Sequence, residues 1–183
     1  MADAENPLTE ARQDEKISQL NRKARLVKFK VDTTLVDELK GYVIFGQPNR
    51  KAFEPRSASD LKQLIKEMEQ TQSYRDRVTG ILIQGKNLAD ELDILIKSGT
   101  AYLYIQYAQE MKSCSNKETR DAAIRYVLDP IIRRKDQWRG LLEIAELAKT
   151  NLNETYFALR EIGENGRKII DARNVKRSFD SGS

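Results

Sequence analysis

The chain contains no histidine and a single cysteine, Cys114, among its 183 residues. Without histidine it lacks the commonest general base, the commonest nitrogen ligand for metals and every Ser-His or Cys-His nucleophile pair. One cysteine cannot form an internal disulfide, which fits a reducing compartment such as the cytoplasm. These absences exclude most hydrolase mechanisms and the usual zinc sites. We therefore predict a protein with no catalytic residues, no metal and no cofactor.

Long apolar runs, aromatic residues and net charge are also scarce. No apolar run approaches the roughly 20 residues of a membrane-spanning helix, and the polar residues 1–6 lack the apolar core of a secretory signal. Charged residues make up 33% and aromatic residues 7%, which favours solvated helices with a narrow apolar seam. The formal net charge is only +4, so any surface for a polyanion must be a local patch. We expect a soluble, cytoplasmic protein that does not enter membranes.

The chain is rich in helix-forming residues with apolar side chains at heptad spacing. Ser57 and Asp60 have the spacing of a capping box, and no proline follows before about Cys114, which predicts one long helix. Its a and d positions are Leu61, Leu64, Met68, Thr71, Arg75, Val78, Leu82, Gly85, Ala89, Leu92, Ile96, Gly99 and Leu103.

A second seam of the same spacing follows. Ser115 and Glu118 offer another capping box, and Asp129-Pro130 predicts a restart of the helix with an acidic cap and proline in its first turn. The seam then continues as Ile131, Trp138, Leu141, Ala145, Ala148, Leu152, Thr155, Leu159, Ile162, Gly166 and Ile169.

Two matching seams joined by a short polar stretch predict a predominantly all-α fold. We expect a long antiparallel helical hairpin or coiled coil over residues 57–175, because short connections favour antiparallel neighbours. Residues 1–56 form a small N-terminal appendage in this interpretation, and residues 176–183 form a flexible tail. Apolar surface left over on the helices predicts a homo-oligomer or contacts with other proteins.

The appendage leaves two alternatives open. A helix is expected over residues 8–25, and the alternation from Val27 to Val31 is typical of a short strand. Thr33 and Thr34 are plausible caps for a helical turn that Gly41 closes. The apolar run Tyr42–Phe45 has strand length. Residues 26–53 are therefore either a short β-hairpin or more helix.

Residues 80–87 nearly match a phosphate-binding loop, because Gly80 and Gly85 are followed by Lys86. Asn87 stands where that loop has a hydroxyl for Mg²⁺, and the segment lies within the heptad pattern. We predict a helix here and no nucleotide site.

Basic residues on the predicted second helix are the one polar feature with a functional interpretation. They form two groups, the first being Arg133, Arg134 and Lys135 with Arg139, and the second Arg167 with Lys168. Such groups are either solvated helix surface or phosphate contacts. An oligomer would repeat them and multiply weak phosphate contacts.

Residues 137–162 read QWRGLLEIAELAKTNLNETYFALREI. This segment resembles the C-terminal helical segment of the UvsY family, the recombination mediators of T-even phages. The resemblance rests on Trp138, Leu141-Leu142, Glu143, Phe157-Ala158-Leu159-Arg160 and Ile162. It implies a helical oligomer that binds single-stranded DNA, contacts a recombinase and a single-strand-binding protein, and performs no catalysis. It also adds Arg160 to the candidate DNA contacts.

Two functional hypotheses follow. The first is a mediator that binds single-stranded DNA in the host cytoplasm and assists recombinase loading. The second is a structural or assembly protein, such as a virion component, scaffold or tail-assembly factor. The heptad seams and the nearly balanced charge explain the second hypothesis equally well.

Overall fold

The computed structural model describes residues 8–26, 31–46 and 55–180, with side chains as far as residue 174. No strand occurs within these ranges, which confirms the all-α fold class. A 3-10 turn, Glu10–Gln13, precedes the first α-helix. The α-helices are α1 (Glu15–Leu26), α2 (Thr33–Phe45), α3 (Ala58–Gln106), α4 (Ala108–Ser113) and α5 (Lys117–Asp180).

The chain forms two compact units, each of which contains one segment of α3 and one of α5. Unit 1 comprises Met1–Asp32 and Gln84–Leu142, and unit 2 comprises Thr33–Ile83 and Glu143–Ser183. Helix α5 continues to Asp180, past residue 175 where the sequence predicts the end of the hairpin. No helix in the described part of the chain is long and apolar enough to cross a membrane.

Helix α3 begins with the predicted capping box. The amide of Asp60 donates to Ser57 Oγ at 3.2 Å, and the amide of Ser57 donates to Asp60 Oδ2 at 2.9 Å. These two bonds satisfy amides that have no partner in the first helical turn. Helix α5 is capped differently, because Asn116 Oδ1 accepts the amide of Thr119 at 2.8 Å. The capping box predicted at Ser115 and Glu118 is therefore wrong by one residue.

The heptad seams form the interior of both units. Every predicted a and d residue of α3 is buried or half-buried. On α5 the same holds for the whole predicted seam except Ile169, which is 41% exposed. Thr71 is a polar residue of the seam, and its hydroxyl has a hydrogen-bond partner because Oγ1 donates to the carbonyl of Glu67 at 2.7 Å. The seams therefore mark the helix faces that pack.

In unit 1 the segments of α3 and α5 are antiparallel, with bulky side chains of α5 opposite glycines of α3. A Cβ atom at Gly85 would lie 3.3 Å from the ring of Trp138 and 2.8 Å from Leu142. A Cβ atom at Gly99 would lie 2.8 Å from Leu128. Glycine at these two positions thus makes room for large side chains, and Trp138 is only 1% exposed.

Asp14 fastens the N-terminal part of unit 1 to α3. Its Oδ1 accepts the amides of Lys16 and Ile17 at 2.7 and 3.3 Å, which caps α1. Its Oδ2 accepts the hydroxyls of Tyr102 at 2.9 Å and Tyr107 at 3.0 Å. One carboxylate thus joins the start of α1 to the end of α3.

Ionisation follows from these contacts. Burial acts to raise the pKa of Asp14, but the hydrogen bonds from Tyr102, Tyr107 and the two amides outweigh it and lower the pKa. Burial and the hydrogen bond to Asp14 raise the pKa of Tyr107 to about 12.

Unit 2 decides between the two alternatives left open for Tyr42–Phe45, because these residues belong to helix α2 and form no strand. Leu35 and Leu39 are buried one turn apart, and the ring centroids of Tyr42 and Phe45 lie 4.7 and 5.0 Å from that of Tyr74. This is helical spacing, which the short apolar run concealed. The other predicted strand falls mostly on residues 27–30, outside the described residues.

Side chains of α5 complete the end of α2. Asn151 Nδ2 donates to the carbonyl of Val43 at 3.1 Å, and Thr155 Oγ1 donates to the carbonyl of Gly46 at 3.0 Å. These bonds satisfy carbonyls that a helix end leaves without a partner. They also bring the backbone of Gly46 against α5.

The restart of the helix predicted at Asp129 is wrong as well, since α5 runs through Pro130 without interruption. Proline inside a helix costs about 3 kcal/mol, partly because it lacks an amide hydrogen. Its neighbours Val127, Leu128 and Ile131 are fully buried. Burial of residues on both sides of the proline offsets this local cost.

Gly46→Ala should destabilise unit 2 by about 1–3 kcal/mol, because overpacking against backbone cannot be relieved by a rotamer change. The new Cβ would lie 2.8 Å from backbone atoms of Asn151 and Leu152. Gly41→Ala, within the preceding helix α2, is the matched control, because nothing lies within 4 Å of its Cβ position. Alanine there should stabilise α2 by about 0.5–1 kcal/mol. Urea denaturation measures both, and equal effects would contradict the close approach.

Asp14→Ala should lower the free energy of unfolding at neutral pH by at least about 1 kcal/mol, the usual effect of losing a helix cap. Since the folded pKa of Asp14 is lowered, its contribution is present above the unfolded pKa of about 3.9 and disappears as pH falls through the folded pKa. The stability difference between wild type and variant should therefore shrink below about pH 4. Tyr102→Phe, which keeps the ring, should show a smaller loss. A pH-independent difference would contradict this account.

Candidate nucleic-acid interface

The candidate interface lies in unit 1, where Arg133 and Arg134 of α5 border an open depression of about 350 Å³. Pro130 and Gln137 lie one turn before and after them on the same helix. Val31, which follows α1, and Trp138 also line the depression. Because Trp138 is buried, it is a packing residue and offers no free ring face to a base.

The two arginines differ in burial and in their contacts. Arg133 Nε donates to Asp129 Oδ1 at 2.8 Å, but the Arg133 side chain is still 77% exposed. An exposed ion pair within one helix contributes only about 0.3–0.5 kcal/mol. Arg134 is half-buried and also has a polar or ring contact within the protein. Of the two guanidinium groups, that of Arg133 is the more accessible to an added phosphate.

Lys135 has a structural partner. Its ammonium lies 2.5 Å from Asp93 Oδ1 on α3, and both side chains are about one-third exposed. This bond links the two long helices within unit 1 and neutralises the charge of Lys135. Arg139 is exposed at the next turn of α5. The first predicted group therefore contains cations in three different environments.

The remaining predicted cations lie in unit 2. Arg160 Nε donates to Glu164 Oε1 at 3.0 Å, and both side chains are more than half exposed. Arg167 and Lys168 are exposed and form no ion pair with another described residue. The seven candidates are thus divided between the two units, with four in unit 1 and three in unit 2.

Gln137 and Val31 also border the depression, although neither is among the predicted contacts. Gln137 follows Arg133 by four residues, so helical spacing alone would have placed it on the same face. Val31 follows α1 by several residues, and no local pattern relates it to α5. Only the packing of unit 1 brings Val31 to this place.

The structure also bears on the near-match to a phosphate-binding loop and on metal binding. Residues 80–87 are helical, which confirms the helix predicted for this near-match to a phosphate-binding loop. Among residues 8–26, 31–46 and 55–180, no group of three His, Cys, Asp or Glu side chains could hold a metal ion.

Comparison with family models, with curated proteins and with solved structures finds no match for this chain.

Arg133→Ala should change the free energy of unfolding by less than about 0.5 kcal/mol, since its ion pair with Asp129 is exposed. Lys135→Ala should cost more, about 1 kcal/mol, because its ion pair with Asp93 joins two helices and is less exposed. Urea denaturation at low and high salt measures both values. A larger loss for Arg133→Ala would mean that Arg133 is a structural residue and not a surface contact.

Proposed function

We propose that the chain is a non-catalytic helical protein that binds single-stranded DNA through the Arg133–Arg134 side of unit 1. The observation that supports this proposal most directly is that two adjacent guanidinium groups border an open depression. Guanidinium is planar and presents several donors, which suits bidentate contacts with phosphate oxygens.

The contact with Asp129 is compatible with phosphate binding. Because Arg133 is mostly exposed, little free energy is lost when its guanidinium turns from the carboxylate to a phosphate. Displacement of counterions from the DNA then contributes to the affinity, which makes binding sensitive to salt. Gln137 beside the arginines adds a neutral donor for sugar or phosphate oxygens.

Single-stranded DNA is preferred to a duplex as the ligand on the basis of the resemblance of residues 137–162 to the recombination mediators. That family acts as an oligomer that helps a recombinase replace a single-strand-binding protein. We extend the proposal accordingly to a cytoplasmic homo-oligomer that also contacts other proteins. Repetition of a weak phosphate site in an oligomer raises the overall affinity without any new contact.

A structural or assembly protein is the second candidate, and the exposed apolar side chains favour it. In unit 1, Ile94 is 64% and Ile105 is 79% exposed. In unit 2, Leu147 and Phe157 are 53% and 58% exposed. Such side chains gain free energy when another protein covers them. Under this second hypothesis the chain belongs to a virion component, a scaffold or a tail-assembly factor.

The double variant Arg133→Glu/Arg134→Glu should weaken binding to a labelled single-stranded oligonucleotide by at least about tenfold, because the carboxylates repel the two phosphates that the guanidinium groups attract. The slope of log affinity against log salt should also become shallower, by about 0.7 for each phosphate that the variant no longer neutralises. Fluorescence anisotropy over a range of salt concentrations measures both quantities.

Lys97→Glu/Lys112→Glu is the matched control for this experiment. It makes the same change in net charge on exposed residues of unit 1 that do not border the depression. Its affinity should fall much less than that of the arginine variant. Equal losses would indicate that only overall charge matters, and no binding by the wild type at low salt would favour the assembly hypothesis.

A further inference from the structure

One side of the α3–α5 pair in unit 2 carries an apolar groove with charged edges, which we call the unit 2 groove. Two adjoining depressions of about 250 and 540 Å³ form it, and Ile65, Met68, Tyr156 and Arg167 border both. The groove extends along residues 61–76 of α3, which is about 22 Å at 1.5 Å per residue. This is the length of four helical turns.

Helix α2 packs elsewhere on the pair. Gly46 at its end contacts Asn151 and Leu152, and Pro55 contacts Gly166. On the covered side of α5, Thr155 bonds to Gly46 and Gly166 contacts Pro55. Tyr156 follows Thr155 by one position and Arg167 follows Gly166 by one position, so each lies about 100° further around the helix. The groove therefore lies on a different side of α5 from the contacts of α2 and Pro55.

The floor of the groove has the features of an incomplete interior. Ile65 is 42% exposed, although it lies one residue from the buried Leu64 of the seam. A Cβ atom at Gly163 would lie 3.0 Å from Leu64, so glycine lets the two helices approach closely beneath the groove. Two helices packed closely beneath an exposed apolar strip present the surface on which further helices pack in a four-helix bundle.

The charges at the two edges have opposite signs. On the α3 edge the ionisable residues of the groove are Glu69 and Asp76, both acidic. On the α5 edge they are Arg160 and Arg167, with Glu164 bound to Arg160. A partner that matches this pattern must itself carry an acidic edge opposite the α5 edge and a basic edge opposite the α3 edge.

We propose that a second copy of this chain occupies the unit 2 groove. A two-fold axis parallel to the helices would place α3 of each copy against α5 of the other, so that acidic edges face basic edges. Two contacts define the register of α3 against α5, one between Leu64 and Gly163 and one between Arg75 and Asn153. They put Arg160 and Glu69 at nearly the same height, so each Arg160 meets the opposite copy's acidic edge at Glu69. If the two-fold axis instead ran perpendicular to the helices, in the plane of the interface, acidic edge would face acidic edge and basic edge would face basic edge.

The size of the groove limits the strength of this contact. Four turns of two helices, each about 10 Å wide, present on the order of 400 Å², compared with roughly 800 Å² per partner in a standard interface. We therefore expect a dimer that dissociates on dilution. The inference rests on the proposed self-association and names the face that carries it.

Ile65→Glu should convert the full-length protein from a concentration-dependent dimer to a monomer, as measured by light scattering and sedimentation over a dilution series. The substitution buries a charge only in the dimer. Ile83→Glu is the matched control, because Ile83 is an exposed apolar residue of α3 in unit 2, at 58%, that does not border the groove. The control should dimerise like the wild type, and circular dichroism should show that both variants fold.

Charge exchange tests the orientation of the two copies. Arg160→Glu and Glu69→Arg should each raise the dissociation constant by about fivefold or more, because an attractive pair becomes repulsive at two symmetric places. The double variant Arg160→Glu/Glu69→Arg should restore dimerisation, since acid and base again face each other. A double variant as weak as the single variants would overturn the proposed axis.

The outcomes separate this inference from the proposed function. A wild type that stays monomeric at every concentration would overturn both the groove contact and the proposed self-association. An oligomer insensitive to Ile65→Glu and to both charge variants would overturn the groove contact alone. Oligonucleotide binding through Arg133 and Arg134 is measured separately and depends on neither result.

Discussion

The packing of bulky side chains of α5 against glycines of α3 is the constraint on which the rest of the structure depends. Trp138 occupies the space left by Gly85, and Leu128 occupies that left by Gly99. In a chain with few aromatic residues, this close approach provides dense packing without a thick core. Both units depend on this pairing, since each contains a segment of both helices. The shorter helices add to the pair by packing on it.

Those shorter helices are held by a few polar contacts in addition to apolar burial. The Asp14 carboxylate caps α1 while it accepts hydroxyls from Tyr102 and Tyr107. Asn151 and Thr155 complete the end of α2. In both cases a helix end, where backbone groups lack partners, is joined to a long helix. A short helix thus obtains its cap and its position from the same contacts.

Contacts with the long helices distinguish the basic residues that have a structural partner from those that remain accessible. Lys135 is committed to Asp93 across the helix pair, whereas Arg133 makes an exposed contact that costs little to exchange. Arg160, selected for its place in a family-like segment, lies at the edge of an apolar groove. Net charge alone conveys none of this, because residues of equal charge differ in what surrounds them.

Local patterns in the sequence determined the helical class, the seam residues and the capping box at Ser57 and Asp60. These features depend on hydrogen bonds and side-chain spacings within a few residues, which a linear sequence displays directly. Contacts between distant segments decided the rest. Residues 42–45 form the end of helix α2 and not a strand, because Tyr42 and Phe45 pack against Tyr74 of α3. Burial around Pro130 carries α5 through a position where local rules favour a break. The sequence located the cations and the carboxylates one turn away from them, such as Asp129 for Arg133, but only tertiary structure decided that Asp93 neutralises Lys135, because that carboxylate lies on another helix.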